Sequence, residues 1–146
     1  MRYLRFATEE GYPRWGRLEE SRVFELDRAP YARGRETGRV LELDDLELLA
    51  PVEPSKIVCI GKNYAEHASE MGSTAPSEPM FFLKAPSALI GPGDTIVLPY
   101  RDHPIHWEAE LAVVIGRRMK SVPPEEALSY VFGYTIANDV SDRYFQ

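Results

Sequence analysis

The sequence predicts an α+β chain, mainly β, in which a small β-rich N-terminal domain (residues 1–52) precedes a second β-rich domain with short helices (residues 53–146). Three observations carry that expectation. Apolar residues fall in short runs rich in valine, isoleucine and aromatic side chains and bounded by glycine or proline, which is the punctuation of strands. Only two segments read as helix, and both are brief. Pro51 and Pro54 interrupt the chain between the halves; each proline biases its predecessor away from the helical region, so Leu49–Lys56 reads as the linker.

In order along the chain, Arg2–Ala7, Trp15–Leu18 and Val23–Leu26 show partial two-residue alternation around a turn at Gly11–Pro13, the pattern of short hairpin strands. Tyr31–Gly38, with Arg33, Gly34, Arg35 and Gly38, has little apolar content and reads as a loop. Val40–Leu49 is acidic and leucine-rich, with an ambiguous period. Beyond the linker, Lys56–Ile60 is a β-branched run suited to a buried strand. Asn63 is placed to cap a short helix, Tyr64–Met71, with Gly72 at the position favoured for its C-terminal cap. Phe81–Leu83 is a short strand, and the turn Gly91–Asp94 delivers another at Thr95–Leu98. Ile105–Ile115 is the longest β signal; its uninterrupted apolar portion, Leu111–Ile115, suggests burial on both faces. Pro123, Pro124, Glu125 and Glu126 open a helix from about Glu125 to Tyr130, since proline suits the first turn and acids suit its positive end. Gly133–Val140 is the last strand and runs into polar residues.

Composition narrows the class of function. With 146 residues, 44% hydrophobic and 27% charged, the chain has the make-up of a packed globular protein. A net charge of -6 argues against nucleic acid or an anionic membrane as partner, because phosphate binding rests on clustered lysine and arginine. No apolar run approaches a bilayer span and Met1–Phe6 lacks the apolar stretch of a signal peptide, so a cytoplasmic location is expected. A lone cysteine, Cys59, forms no internal disulfide framework and agrees with a reducing compartment.

Glu108 and Glu110 stand two apart in the long β run, so strand geometry directs both carboxylates to one face, with Cβ atoms about 7 Å apart, close enough to converge on one ion. The alternative is a solvated face that the two acids merely render soluble. If buried, the pair would repel and one acid would keep its proton unless a cation held them. Oxygen donors without a thiolate suit magnesium, manganese or calcium better than zinc. Asp139, at a strand end, is the third candidate ligand, though an aspartate there otherwise serves a turn or cap. Arg143 and Gln146 share a face with it if a helical turn begins after Asp139, setting a positive charge beside the acids; the alternative is a solvated helix start. His67 and Glu70, three apart on the expected short helix, are neighbours, and a carboxylate that orients an imidazole makes a general base; such pairs also occur on plain surfaces. His103 and His106 have no acid at a telling spacing. Cys59 reads as a packed small hydrophobe, not a nucleophile, and Gly91-Pro92-Gly93 lacks the lysine and helix start of a phosphate loop.

Five motifs in fixed order over Lys56–Gln146 resemble the fumarylacetoacetate hydrolase family: Gly61-Lys62-Asn63-Tyr64-Ala65-Glu66-His67, Phe81-Phe82-Leu83-Lys84-Ala85-Pro86-Ser87, Gly91-Pro92-Gly93-Asp94, Trp107 through Gly116, and Gly133-Tyr134-Thr135 with Asn138-Asp139-Val140-Ser141. The resemblance implies a mixed β-sandwich or roll with short helices, behind a small variable leading domain. It implies a divalent cation, magnesium foremost, on Glu108, Glu110 and Asp139, a base at His67 with Glu70, and substrate contacts from Arg143 and Gln146. Lys84 matches the family lysine after Phe-Leu, as a structural or site-lining group. Two departures stand out. The family run after Asn-Asp-x-Ser is Ala-Arg-Asp-x-Gln, whereas this chain has Asp142-Arg143-Tyr144-Phe145-Gln146, so an added acid at Asp142 could divert Arg143. Family members also continue for a comparable further stretch, so the resemblance implies that this chain is the N-terminal part of a longer protein.

The implied chemistry is hydrolytic cleavage of a carbon–carbon bond in small anionic 2-oxo or 1,3-dicarbonyl acids of the acylpyruvate or fumarylacetoacetate type. The alternative is isomerisation or decarboxylation of related intermediates of aromatic degradation. Two readings of other classes are a truncated, catalytically incomplete fragment and a metal-binding structural module. The resemblance also implies a homodimer.

Overall fold

β1 (Arg2–Ala7), β2 (Pro13–Glu19) and β3 (Arg22–Leu26) form an antiparallel meander in a computed structural model that describes residues 1–64 and 76–146. β1 pairs with β2 from Arg2–Leu18 to Ala7–Pro13, and β2 pairs with β3 from Trp15–Leu26 to Glu19–Arg22. Two further strands, β4 (Glu36–Glu42) and β5 (Leu48–Leu49), complete a five-stranded sheet in the order β4-β3-β2-β1-β5. The acidic, leucine-rich segment of ambiguous period therefore resolves into the end of β4, a 3-10 turn at Leu43–Asp45, and β5. Tyr31–Gly38 is a loop only in part: a 3-10 turn spans Pro30–Ala32 and β4 begins at Glu36.

Among the described residues the buried apolar core lies in this sheet. Phe6, Val23 and Leu26 are its buried apolar side chains, and Gly16 lets β2 pass close against Val23. Arg5 is buried with them. It donates from Nη1 to the Ala50 carbonyl at 2.9 Å, pairs with Glu53, and lies over the Trp15 ring at 5.5 Å, so one side chain fastens the linker to the sheet.

Past the linker, β6 (Ile57–Gly61) pairs antiparallel with β7 (Met80–Lys84), matching Cys59 to Phe82 and Ile57 to Lys84. The expected strand at Thr95–Leu98 is not one; the segment follows its Gly-Pro-Gly turn without regular structure, because apolar content alone supplies no ladder partner. The long run Ile105–Ile115 divides into β8 (Ile105–His106) and β9 (Ala109–Ile115), broken at Trp107 and Glu108. A single turn of helix, α1 (Pro124–Ala127), starts with Pro124 in its first turn, continues as a 3-10 turn to Tyr130, and leads into β10 (Val131–Asn138) and β11 (Ser141–Asp142). β9 pairs with β10, and β8 with β11, so the two short strands extend the main hairpin beyond the break.

β10 carries a bulge. Val131 faces Ile115 and Gly133 faces Val114, leaving Phe132 without a partner in the ladder. Its ring turns to the N-terminal sheet, 5.7 Å from both Tyr3 and Tyr31, and Tyr31 meets Trp15 edge-on at 5.5 Å. A bulge redirects a side chain in this way, and here it seats one β unit on the other.

Two expectations of burial fail. Lys56–Ile60 and Leu111–Ile115 are each covered on one face only: Val58 and Ile60 are exposed with their cross-strand partners Leu83 and Phe81, and Leu111 and Val113 with Ile136 and Tyr134. Among the described residues no helix is long and apolar enough to cross a membrane.

Candidate functional site

The register of β9 against β10 assembles the acids. Ala137 faces Glu110, Asn138 faces Ala109, and just past the ladder the Asp139 amide donates to the Glu108 carbonyl at 2.8 Å. The Glu108 amide in turn donates to the Asn138 side-chain Oδ1 at 3.0 Å, so one backbone bond and one side-chain bond hold the break in place. Glu108 lies just outside β9, yet it keeps the alternation and shares with Glu110 the half-buried face that Asp139 joins.

The inner face of the β6–β7 pair closes on the same place. Lys84, on β7, forms an ion pair with Asp139, whose side chain is only 10% exposed. The paired oxygen, Asp139 Oδ1, is buried beneath the Lys84 ammonium. Cys59, opposite Phe82 on the same face of that pair, reports on the cluster. Its thiol is pushed up by burial and then by the negative charge of Asp139, with Glu110 and Glu108 adding to the effect and Lys84 offsetting part of it. That environment disfavours the thiolate, in keeping with a packed cysteine.

Arg143 is the second cation of the site. Its Nη2 pairs with Glu108, its Nη1 donates to the Gln146 side-chain oxygen, and its Nε donates to His106 Nδ1 at 3.2 Å. Arg143 and Gln146 are thus brought together with Glu108, by a turn closed from the Gln146 amide to the Asp142 carbonyl at 3.0 Å. That turn begins after β11 rather than after Asp139. Asp142 does not divert Arg143, because its own partner is His103, 2.7 Å away at Nδ1. Partial burial works against the Asp142 charge. The hydrogen bonds from His103 and from the Tyr144 and Phe145 amides nevertheless hold its carboxyl below the ordinary range.

Asn63, expected as a helix cap, donates its side-chain amide to Glu110 Oε2 at 3.3 Å, and the Tyr64 hydroxyl accepts from the Leu111 amide at 3.4 Å. The start of the Asn-Tyr motif is therefore anchored at Glu110. His67, Glu70 and the helix expected to carry them lie outside the described residues. Sequence reasoning missed the partners of His103 and His106: Asp142 and Arg143 are more than thirty positions distant, and only the β8–β11 pairing brings them near.

In chemistry the donor set fits a hard divalent cation: three carboxylates carried on neighbouring backbone positions at the start of β9 and the end of β10. In this conformation Glu108 and Asp139 face Arg143 and Lys84, and among the described residues no three acidic, imidazole or thiol groups stand together as a ligand shell.

A cluster of acids at the end of a β hairpin, flanked by a lysine and an arginine, thus sits in a mainly β fold. Residues 56–146 match the family model described as fumarylacetoacetate (FAA) hydrolase C-terminal, and residues 1–51 match the Rv2993c-like N-terminal model. The chain belongs to the fumarylacetoacetate hydrolase family. It is 46% identical over 138 residues to Protein Rv2993c of Mycobacterium tuberculosis, a stretch that covers 94% of this chain and 51% of that protein. Its structure is similar to that of 5-carboxymethyl-2-hydroxymuconate delta-isomerase from Mycobacterium smegmatis, with TM-score 0.88 and 41% identity, covering 100% of this chain and 57% of that one. It is also similar to maleylpyruvate hydrolase from Sphingobium sp. SYK-6, solved in complex with manganese (II) ion and pyruvate, with TM-score 0.74 and 27% identity, covering 98% and 60%. The chain spans about half the length of Protein Rv2993c and little more of these two structures.

Proposed function

We propose that this chain carries the metal-binding and anion-binding residues of a divalent-cation-dependent enzyme that cleaves a carbon–carbon bond in 2-oxo or 1,3-dicarbonyl acids. The observation that carries the reading is the β9–β10 register, which sets Glu108, Glu110 and Asp139 on one face with Arg143 against Glu108. Glu108, Glu110 and Asp139 would hold the cation, with magnesium or manganese suited to an all-oxygen site. Bound there, it supplies a Lewis acid that polarises a carbonyl. Arg143 offers the planar fork that a carboxylate binds, and Gln146, already bonded to it, adds an amide. Lys84 lines the opposite side and balances Asp139. His67, oriented by Glu70, would take the proton from the attacking water.

Isomerisation is the neighbouring reading, favoured by the likeness to a delta-isomerase at 41% identity. It needs the same anchors without the attacking water. A reading of another class, a module that binds the cation without turning over substrate, is favoured by the apolar faces left open on β9–β10 and β6–β7. A second copy of the chain covering one of those faces is the assembly this proposal carries.

Manganese titration of the 146-residue chain, followed by calorimetry, tests the ligand assignment. Glu108→Ala, Glu110→Ala and Asp139→Ala should each weaken binding more than the roughly 10–100-fold loss caused by removing a supporting partner. Wild-type affinity in all three variants overturns the assignment. An acylpyruvate assay with added magnesium then separates enzyme from silent module, and a double-bond migration assay separates hydrolase from isomerase.

A further inference from the structure

We propose that His103 is a positioning residue whose clamped ring fixes the segment from Asp139 to Gln146, and through it the aim of Arg143. The inference rests on the reading of Arg143 as an anchor for an anionic substrate. His103 lies between two aromatic faces: Tyr100 stacks on it with ring centres 4.5 Å apart and an interplanar angle of 23°, and Tyr144 stacks at 4.6 Å and 29°. Phe145 closes the edge at 5.1 Å. In the ring plane, Nδ1 meets Asp142 Oδ2 at 2.7 Å. The His103 side chain is 13% exposed and that of Asp142 20%.

Three residues of one short stretch, Asp142, Tyr144 and Phe145, are thus committed to one imidazole from a different part of the chain. Asp142 is held further by the Tyr144 amide donating to its Oδ1 at 2.9 Å. Arg143 sits between Asp142 and Tyr144, and its amide donates to the Pro104 carbonyl at 3.0 Å, next to His103. With both neighbours gripped on one side, the Arg143 side chain is sent to the other, where it meets Glu108 and His106. Both positions at which this chain departs from the family run, Asp142 and Tyr144, bear on His103. An added acid that looked able to draw Arg143 away instead secures its backbone. Ordered side chains with their rotamers locked by packing and hydrogen bonds are what hold a binding group in register. Removing the ring would free the turn rather than remove a contact to substrate.

The test uses the 146-residue chain labelled with nitrogen-15, in wild type, His103→Ala and His103→Phe. The readout is the Arg143 Nε–H resonance, whose proton bonds to His106. His103→Ala should shift or broaden that resonance while the Trp15 indole resonance, from the N-terminal sheet, stays in place. His103→Phe keeps the stacking and loses the hydrogen bond, so its displacement should be smaller; it also decides the matter if the alanine variant does not fold. An Arg143 resonance unmoved in a folded His103→Ala or His103→Phe chain overturns the inference. In the acylpyruvate assay, His103→Ala should raise KM by about tenfold and change kcat less, the mark of lost anchoring. A wild-type chain without turnover counts against the proposed function alone, because the resonance arm needs no substrate.

Discussion

At Gly16 a Cβ would stand 2.3 Å from Val23 Cγ1, and Leu4 and Phe6 lie just beyond. Val23 is fully buried and β-branched, with little rotamer freedom to withdraw. Gly16→Ala should therefore destabilise the chain by about 1–3 kcal/mol, the range for overpacking a filled core. Urea unfolding checks it: the midpoint falls while the slope stays unchanged. Cys59 gives a second prediction at this scale. Because burial and the Asp139 charge disfavour its thiolate, iodoacetamide should label it with a midpoint above about pH 8.5, the ordinary cysteine value. Asp139→Asn removes a negative charge that opposes ionisation and should lower that midpoint; a midpoint at or below the ordinary value in the wild type would falsify this account. Individual residues were legible in sequence where their role depends on type and local spacing. Glu108 and Glu110 share a half-buried face as their two-residue separation required, whereas the partner of Asp142 depends on a pairing between strands 36 positions apart and left no local signal.

Among the elements, β10 joins the two β units through Phe132, the residue its bulge leaves unpaired. Phe132 is half-buried between Tyr3 and Tyr31, so Phe132→Ala should cost about 1–2 kcal/mol, less than the loss of a fully buried ring. Tryptophan fluorescence gives the check. Trp15 touches Tyr31 and should change its emission, whereas Trp107 is 76% exposed and should not. Unaltered emission with unaltered stability would remove the seat from the account. Strands with alternation or β-branched content were readable from the sequence: β1 falls on Arg2–Ala7 as expected, and the helix near Glu125 starts on the prolines that mark it. The failures share a cause. Thr95–Leu98 has strand composition without a ladder neighbour, and Ile105–Ile115 has a continuous signal through a break that only the Asp139 and Asn138 bonds reveal.

For the whole molecule, the two outer hairpin faces dominate. Leu111, Val113, Tyr134 and Ile136 lie open on one, with Ile136 85% exposed; Val58, Ile60, Phe81 and Leu83 lie open on the other. Contiguous apolar surface of this kind drives association. Light scattering of the wild-type chain should show mass rising with concentration, and Leu111→Lys with Ile136→Lys, charges placed on a cross-strand pair, should suppress it. A wild type that stays monomeric at every concentration rejects the self-association proposed here. Among the described residues, by contrast, the buried core lies in the N-terminal sheet, where Phe6 and Val23 are almost wholly enclosed. One strand therefore serves two clients with different needs: at its start β10 delivers an aromatic ring to that sheet, and at its end it leads into Asp139. A strictly alternating strand would tie these tasks together, since moving one side chain by a residue turns every other to the opposite face. The extra residue at Phe132 acts as a phase slip between them. Deleting it would bring Val131 and Gly133 into consecutive register with Ile115 and Val114, surrendering the seat while leaving the acids in step.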